Sequence, residues 1–190
     1  MKHSNIPIFI PELACPHQCI FCNQSKISGQ KDIPQPEDIP AIIESHLATM
    51  NDGREIEIAF FGGSFTGIPY DLQERYLSVA YKYMEAGKIN GIRLSTRPDY
   101  INEKILDRLK RYGVKTIELG AQSTDDTVLL ASGRGHKSEA IRQASELILK
   151  NGFHLGLQMM IGLPQDNYER SSKTVDDIIR LVSQIREGSH

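Results

Sequence analysis

The three cysteines of the chain lie within one short segment, Cys15-Pro16-His17-Gln18-Cys19-Ile20-Phe21-Cys22. Thiolates are soft ligands, and in proteins they select iron–sulfur clusters, zinc or copper(I). A structural zinc ion takes four closed ligands, which here would require His17 as the fourth, although it sits between two of the cysteines. A [4Fe–4S] cluster held by three cysteines instead leaves one iron open to an exogenous ligand. The spacing therefore favours an open cluster, with zinc and three unrelated buried cysteines as the alternatives.

Composition excludes several classes of protein. The 190 residues carry 22 Lys and Arg against 24 Asp and Glu, a net charge of −2, which excludes a strongly basic nucleic-acid arm and an acidic tail. No apolar run reaches the roughly 18 residues that a membrane span needs, and the stretch from Ile6 to Pro11 is too short for the core of a signal peptide. Clustered cysteines in odd number do not fit a disulfide framework. We therefore predict a cytoplasmic protein with no membrane partner.

Two hydrophobic periods alternate along the chain. Runs typical of β-strands cover residues 6–10, 56–61, 92–96, 115–119 and 155–161, and helical patterns cover residues 39–50, 72–84, 105–112, 141–148 and 175–185. Asp71 is predicted to cap the second helix. The alternation predicts an α/β fold with a parallel sheet and outer helices, either doubly wound or a (β/α) arc. In both architectures, sites form at the C-terminal ends of the strands.

Distinctive segments follow the predicted strands. After the cysteine loop come Phe61-Gly62-Gly63-Ser64, Ser95-Thr96-Arg97-Pro98-Asp99-Tyr100, Glu118-Leu119-Gly120-Ala121-Gln122-Ser123, Arg134-Gly135-His136 and Met160-Ile161-Gly162-Leu163-Pro164. The cysteine spacing, with an aromatic residue before the last cysteine, resembles the radical S-adenosylmethionine (radical SAM) superfamily. The combination is most similar to the branch of the elongator catalytic subunit and of the oxygen-independent coproporphyrinogen oxidases.

The resemblance implies a partial (β/α) barrel, usually of six strands, of which five are predicted here. Residues 1–187 are expected to form one radical SAM core domain, either truncated at its C-terminus or minimal, and residues 188–190 to be a remnant of an expression tag. Cys15, Cys19 and Cys22 would hold a [4Fe–4S] cluster whose open iron binds S-adenosylmethionine (SAM).

The implied activity is reductive cleavage of SAM to a 5′-deoxyadenosyl radical. The electron would come from a donor such as flavodoxin or ferredoxin, and the substrate would be either tRNA or a small molecule. A zinc-stabilised binding module without catalysis is the alternative from another class. A third hypothesis is a cluster-bearing domain that has lost turnover, because Ser64 stands where the superfamily's Gly-Gly-Glu motif has Glu.

The resemblance also assigns roles in SAM binding. Gly62 and Gly63 would contact the amino group, and a tight turn is their ordinary interpretation. Arg134 would pair with the carboxylate, although a lone arginine is more often a solvated surface residue. Gln122, Gln158 and Ser95 would hydrogen-bond the ribose hydroxyls. Phe21 would pack near the adenine, unless it only packs the loop, and Ser64 is a further candidate for SAM binding. Glu118 would either contact the ligand or pair with Arg93 or Arg97.

Two further features have ordinary interpretations. His136 is expected to be an exposed loop histidine rather than a substrate contact. The basic residues around the third predicted helix are expected to form a solvated face rather than a phosphate-binding surface for tRNA. These basic residues are Lys104, Arg108, Lys110, Arg111 and Lys115.

Overall fold

The structure is a computed structural model that describes residues 2–10, 19–22, 33–50 and 54–187. The five strands are β1 (Lys2–Ile10), β2 (Arg54–Gly62), β3 (Gly91–Thr96), β4 (Val114–Gln122) and β5 (His154–Met159). The helices are α1 (Ile39–Leu47), α2 (Tyr70–Glu85), α3 (Glu103–Arg111), α4 (Asp126–Ala131), α5 (Ser138–Lys150) and α6 (Tyr168–Glu187). None of these helices is long and apolar enough to cross a membrane.

The order of the strands decides between the two predicted architectures. The sheet runs β1-β2-β3-β4-β5, and every neighbouring pair is parallel. A doubly wound sheet reverses its strand order at a switch point, whereas here each strand adds beside the one before it. Right-handed crossovers in this order place the helices on one face of the sheet. The (β/α) arc of a partial barrel is therefore confirmed, and the doubly wound alternative is wrong.

The core lies between the sheet and its helices. Ile6, Ile8 and Ile10 alternate along β1 and are buried at 0–3% exposure, as expected for side chains that share one face of a strand. The helices contribute residues at helical spacing, such as Tyr76 of α2 and Leu106 of α3, which are fully buried in the same cluster. The opposite face of the sheet is left for polar side chains, and the candidate site uses that face.

Three local predictions are corrected. Strand β5 ends at Met159 rather than at Ile161, which is 75% exposed in the following loop. Helix α2 begins at Tyr70 with Pro69 at its cap position, so Asp71 lies in the first turn and is not the cap. Helix α4 is absent from the prediction because six residues are too few to establish a helical period.

Candidate functional site

A cleft of about 460 Å³ lies at the C-terminal ends of the strands. Its volume is within the range of small-molecule sites in proteins. Cys15 lies outside the described residues, and the structure brings all the other predicted site residues to this cleft. They are Cys19, Phe21, Cys22, Gly62, Gly63, Ser64, Ser95, Glu118, Gln122, Arg134 and Gln158.

The described part of the cysteine loop is held by backbone hydrogen bonds. The Cys22 N–H donates to the carbonyl of Cys19 over 2.9 Å, which makes a tight turn. The Ile20 N–H donates to the carbonyl of Ser132 over 3.2 Å, so the turn is fixed to the loop after α4. Cys19 is buried and Cys22 is partly buried. Two thiols are therefore presented together at one end of the cleft.

Arg134 is buried beside the first of these thiols. Its Nη1 lies 3.6 Å from Cys19 Sγ, and its Nη2 donates to the carbonyl of Gly120. Its Nε is buried and has no hydrogen-bond partner in the part of the chain that the structure describes. A buried donor without a partner is costly, which points to an acceptor that occupies the cleft. The interpretation of Arg134 as a solvated surface residue is wrong.

Gln122 reaches the cleft through an irregularity of β4. The pairing of β4 with β5 shifts register between Gly120 and Gln122, and Gln122 has a φ of 66°. A bulge of this kind re-aims a side chain near the end of a strand. The Gln122 Oε1 atom is buried and lacks a hydrogen-bond donor among the described residues. It is thus an acceptor that suits a ligand hydroxyl or amine.

Glu118 is held by three neighbours on adjacent strands. Its Oε2 accepts a hydrogen bond from Gln158 Nε2 over 2.6 Å and a long one from Ser95 Oγ over 3.5 Å. Its Oε1 pairs with Arg93 Nη1 over 3.1 Å. Of the two arginines predicted as its partner, Arg93 is the correct one, since Arg97 pairs with Asp99.

The Gly-Gly-Ser segment is committed partly to the scaffold. Gly62 has a φ of 110°, a conformation that favours glycine. The Gly63 N–H donates to the carbonyl of Ile10 over 3.0 Å, so this N–H holds the glycine turn to the end of β1. Ser64 is buried, its Oγ lies 2.8 Å from Thr96 Oγ1, and it accepts a hydrogen bond from the Arg97 N–H over 3.2 Å. Ser64 therefore joins the loop after β2 to the loop after β3.

A polar row crosses the whole sheet below the cleft, with one side chain from each strand. The sequence pattern does not point to His3 or Glu57, because their contacts join residues far apart in the chain. His3 Nε2 and Arg93 Nε each lie 2.9 Å from Glu57 Oε2. Arg93 continues to Glu118, and Glu118 to Gln158. Glu57 and Glu118 therefore share one arginine between them.

Two other expectations are corrected by burial. His136 is half-buried, and burial followed by the charge of Arg134 lowers the pKa of its imidazole. Arg108 is buried, with its guanidinium 4.3 Å from the centre of the Tyr70 ring, so it does not belong to a solvated basic face.

Family membership follows from comparison with known proteins. The sequence profile of the Radical SAM superfamily matches residues 10–178, which is most of the chain. The chain belongs to the radical SAM superfamily. This confirms the resemblance inferred from the cysteine loop and the segments after the strands.

The relatives of this radical SAM chain include RNA-modifying enzymes. A tRNA uridine(34) acetyltransferase of Methanocaldococcus infernus is 26% identical over 201 residues. That match covers 86% of this chain and 38% of the relative, so the chain spans well under half the length of that protein.

Solved structures show the same fold. The Elp3 protein of the archaeon Methanocaldococcus infernus, with its N-terminus deleted, superposes with a TM-score of 0.69 at 21% identity, over 93% of this chain and 42% of that one. Coproporphyrinogen III oxidase (HemN) of Escherichia coli superposes with a TM-score of 0.65 at 20% identity, over 95% of this chain and 42% of that one. The partial barrel is thereby confirmed, and the related acetyltransferase matches the predicted branch.

The residues of the cleft fit the cofactors of a radical SAM protein. The buried Arg134 Nε donor and the buried Gln122 Oε1 acceptor match a ligand that carries both a carboxylate and hydroxyl groups. Among the described residues, no His, Asp or Glu joins Cys19 and Cys22 in a group of three. A tetrahedral zinc site would therefore depend on residues of the loop that lie outside the described ranges.

Proposed function

We propose that this chain is the catalytic core of a radical SAM enzyme, with a [4Fe–4S] cluster on Cys15, Cys19 and Cys22 and SAM in the adjoining cleft. When bound, the cluster supplies one electron that breaks the bond between the SAM sulfur and C5′, which gives methionine and a 5′-deoxyadenosyl radical. The observation that carries the proposal is the opening of Cys19 onto a cleft that also holds two buried polar atoms, on Arg134 and Gln122, for which the described residues provide no hydrogen-bond partner. A structural zinc site would not explain why these two polar atoms are buried in the cleft.

The cleft residues divide the work of binding SAM by their chemistry. Arg134 Nε donates to the carboxylate, and Gln122 Oε1 accepts from a ribose hydroxyl, since each is the complementary group. An ammonium group is a donor, so Gly62 and Gly63 offer it carbonyl oxygens rather than N–H groups. Phe21 packs near the adenine. This leaves Ser95, Gln158 and Glu118 as a hydrogen-bonded wall beside the ribose, with Ser64 fixing the glycine turn.

tRNA is the substrate class that the relatives favour, with a small molecule as the second. The support is the name of the related tRNA uridine(34) acetyltransferase, of which this chain spans 38%. The electron donor is proposed to be a flavodoxin or ferredoxin, and the location to be the cytoplasm. The basic residues near α3 do not argue for tRNA, because Glu103 and Asp107 are interleaved with them.

The deciding experiment is anaerobic reconstitution with iron and sulfide, followed by addition of dithionite and SAM. About four irons and a matching amount of sulfide per chain are expected, together with 5′-deoxyadenosine and methionine. One zinc per chain and no sulfide would establish the alternative. A complete cluster that yields no 5′-deoxyadenosine would show that the domain has lost turnover, which contradicts the proposed activity.

Cys19→Ala is the matched control for this experiment. The variant is expected to lose the cluster and to form no 5′-deoxyadenosine. Its secondary structure is expected to persist, because Cys19 does not belong to the hydrophobic core between the sheet and its helices. Iron analysis and circular dichroism measure the two properties. An unfolded Cys19→Ala protein at room temperature would mean that the metal centre is needed for folding.

A further inference from the structure

Arg97 joins three segments that meet above the sheet. It lies directly after β3 and is 3% exposed. Its main-chain N–H donates to Ser64 Oγ over 3.2 Å, and this bond connects Arg97 to the loop after β2. Its Nη2 donates to the main-chain carbonyl of Arg134, which reaches the loop after α4. The sequence predicts Arg97 only as a candidate partner of Glu118, and the structure pairs it with Asp99 instead.

The contact with Arg134 matters because of what Arg134 faces. Its guanidinium points to Cys19 Sγ on one side and to the Gly120 carbonyl on the other. The main chain around Arg134 is also held by hydrogen bonds to the short helix α4, from the Arg134 N–H to the carbonyl of Leu129 and from the Gly133 N–H to the carbonyl of Leu130. The hydrogen bond from Arg97 to the Arg134 carbonyl therefore helps to fix the main-chain position from which the Arg134 side chain extends.

Arg97 is itself fixed by a carboxylate. Its Nε and Nη2 each lie 2.9 Å from an oxygen of Asp99, which is a two-point contact between planar groups. Burial alone would raise the pKa of Asp99, but the hydrogen bonds and charge of Arg97 hold that pKa below its usual range. Asp99 is thus charged at neutral pH and holds the guanidinium in one orientation.

We propose that Arg97 is a positioning residue of the site, which holds the Arg134 guanidinium against Cys19 through the Arg134 carbonyl. An arginine is required because one planar group must meet two Asp99 oxygens and a carbonyl at the same time. Lysine keeps the charge and has a single nitrogen, which cannot reach all three acceptors in fixed directions. The consequences for cluster and SAM rest on the proposed function, whereas the consequence for the loop does not.

The first test uses the unloaded chain, by hydrogen–deuterium exchange of wild type and Arg97→Lys. Amides of residues 129–137 are expected to exchange about tenfold faster in the variant, with the amides of α2 and β2 unchanged, since local opening governs exchange. Unchanged exchange in residues 129–137 would overturn the proposal. Faster exchange spread evenly over all segments would also overturn it, because it would indicate general destabilisation.

The second test uses the reconstituted proteins and follows the reduced cluster by electron paramagnetic resonance. A positive charge near a ligating thiolate favours the more negative, reduced cluster, so its displacement in Arg97→Lys is expected to lower the midpoint potential. A tenfold change in the ratio of oxidised to reduced cluster corresponds to about 59 mV for one electron. Addition of SAM is expected to change the electron paramagnetic resonance spectrum of the reduced cluster, and the SAM concentration that gives half of this change is expected to be about tenfold higher in Arg97→Lys than in the wild type. A potential and a SAM affinity equal to those of the wild type would overturn the proposal.

Arg142→Lys is the matched control, because Arg142 also pairs with carboxylates, those of Glu139 and Glu146, but on the exposed face of α5. It is expected to leave exchange in residues 129–137, the potential and the SAM affinity unchanged. If the wild-type chain takes up no cluster, the proposed function fails, and the exchange measurement alone decides the role of Arg97.

Discussion

Gly120 shows how a single missing side chain makes room for two others. A Cβ atom at Gly120 would lie 3.0 Å from Gln122 Nε2 and 3.4 Å from Arg134 Nη2, closer than ordinary contacts. Gly120→Ala is therefore expected to push both side chains by a few tenths of an ångström and to weaken SAM binding by about tenfold, roughly 1.4 kcal/mol. Because these neighbours are the ends of flexible side chains, the free energy of unfolding is expected to change little. Isothermal titration of the reconstituted protein with SAM and urea unfolding measure the two effects.

Gly91→Ala is the control for that substitution. Its added Cβ would also be crowded, at 2.9 Å from Lys115 Cδ, but Gly91 begins β3 and lies away from the cleft. SAM affinity is expected to stay at the wild-type value. Equal losses of affinity in the two variants would mean that strand glycines act on binding through the sheet in general.

His136 is a single residue that makes the free energy of unfolding depend on pH. Burial and then the charge of Arg134 lower its pKa in the folded protein, whereas the unfolded chain titrates near 6.5. Below about 6.5 the unfolded state therefore binds more protons than the folded state, and stability falls as the pH drops toward the folded pKa. His136→Gln is expected to lose less unfolding free energy than the wild type between pH 7.5 and pH 5.5. Urea unfolding at the two pH values measures this, and parallel losses would contradict it.

At the scale of elements, two helix caps of the same kind have different consequences. Asn102 caps α3 by accepting a hydrogen bond from the Ile105 N–H over 3.0 Å, and Asp125 caps α4 by accepting from the N–H groups of Thr127 and Val128. Asn102→Ala and Asp125→Ala are each expected to cost about 1 kcal/mol of unfolding free energy. Only Asp125→Ala is expected to weaken SAM binding, because α4 leads to Arg134.

The pair serves as its own control, with stability from urea unfolding and affinity from titration with SAM. If Asn102→Ala weakened SAM binding as much as Asp125→Ala, general loosening of the helical layer would explain both. If neither did, the position of α4 would not govern the site.

The sequence allows elements to be predicted where their period is long enough to detect. Alternating apolar residues predict every strand. They place the end of β5 two residues too late, at Ile161, because this residue is apolar although it is exposed in the following loop. The cysteine spacing likewise indicates the candidate site directly, since the proposed cluster ligands are neighbours in the chain. The bulge that aims Gln122 carries no such signal, because it depends on the register of β4 against β5.

At the scale of the whole molecule, the contacts that the sequence does not predict are those between residues far apart in the chain. Arg97 and Asp99 are two residues apart, and that spacing could have suggested a pair. The contact from Arg97 to Arg134 spans 37 residues and depends on how the loops meet. Apart from the predicted pair of Arg93 and Glu118, the contacts of the polar row are of the same kind, because its members share no local pattern and meet only once the strands are in register.

Arg93 is the centre of that row, and its removal tests the whole sheet. Its side chain is 21% exposed and pairs with two carboxylates, those of Glu57 at 6% and Glu118 at 16% exposure. Arg93→Met keeps most of the apolar stem but leaves the largely buried Glu118 without a counterion and Glu57 with His3 alone, which is expected to cost about 3 kcal/mol of unfolding free energy. Addition of Glu57→Gln and Glu118→Gln removes those charges and is expected to restore most of the loss.

The comparison of single and triple variants by urea unfolding separates charge from packing. If the row is electrostatic, the triple variant is more stable than Arg93→Met alone. A triple variant less stable than Arg93→Met would show that the row acts through its hydrogen bonds rather than through charge balance. Because Glu118 also borders the cleft, the triple variant is further expected to bind SAM more weakly while folding normally, and this difference distinguishes the support of the sheet from the recognition of the ligand.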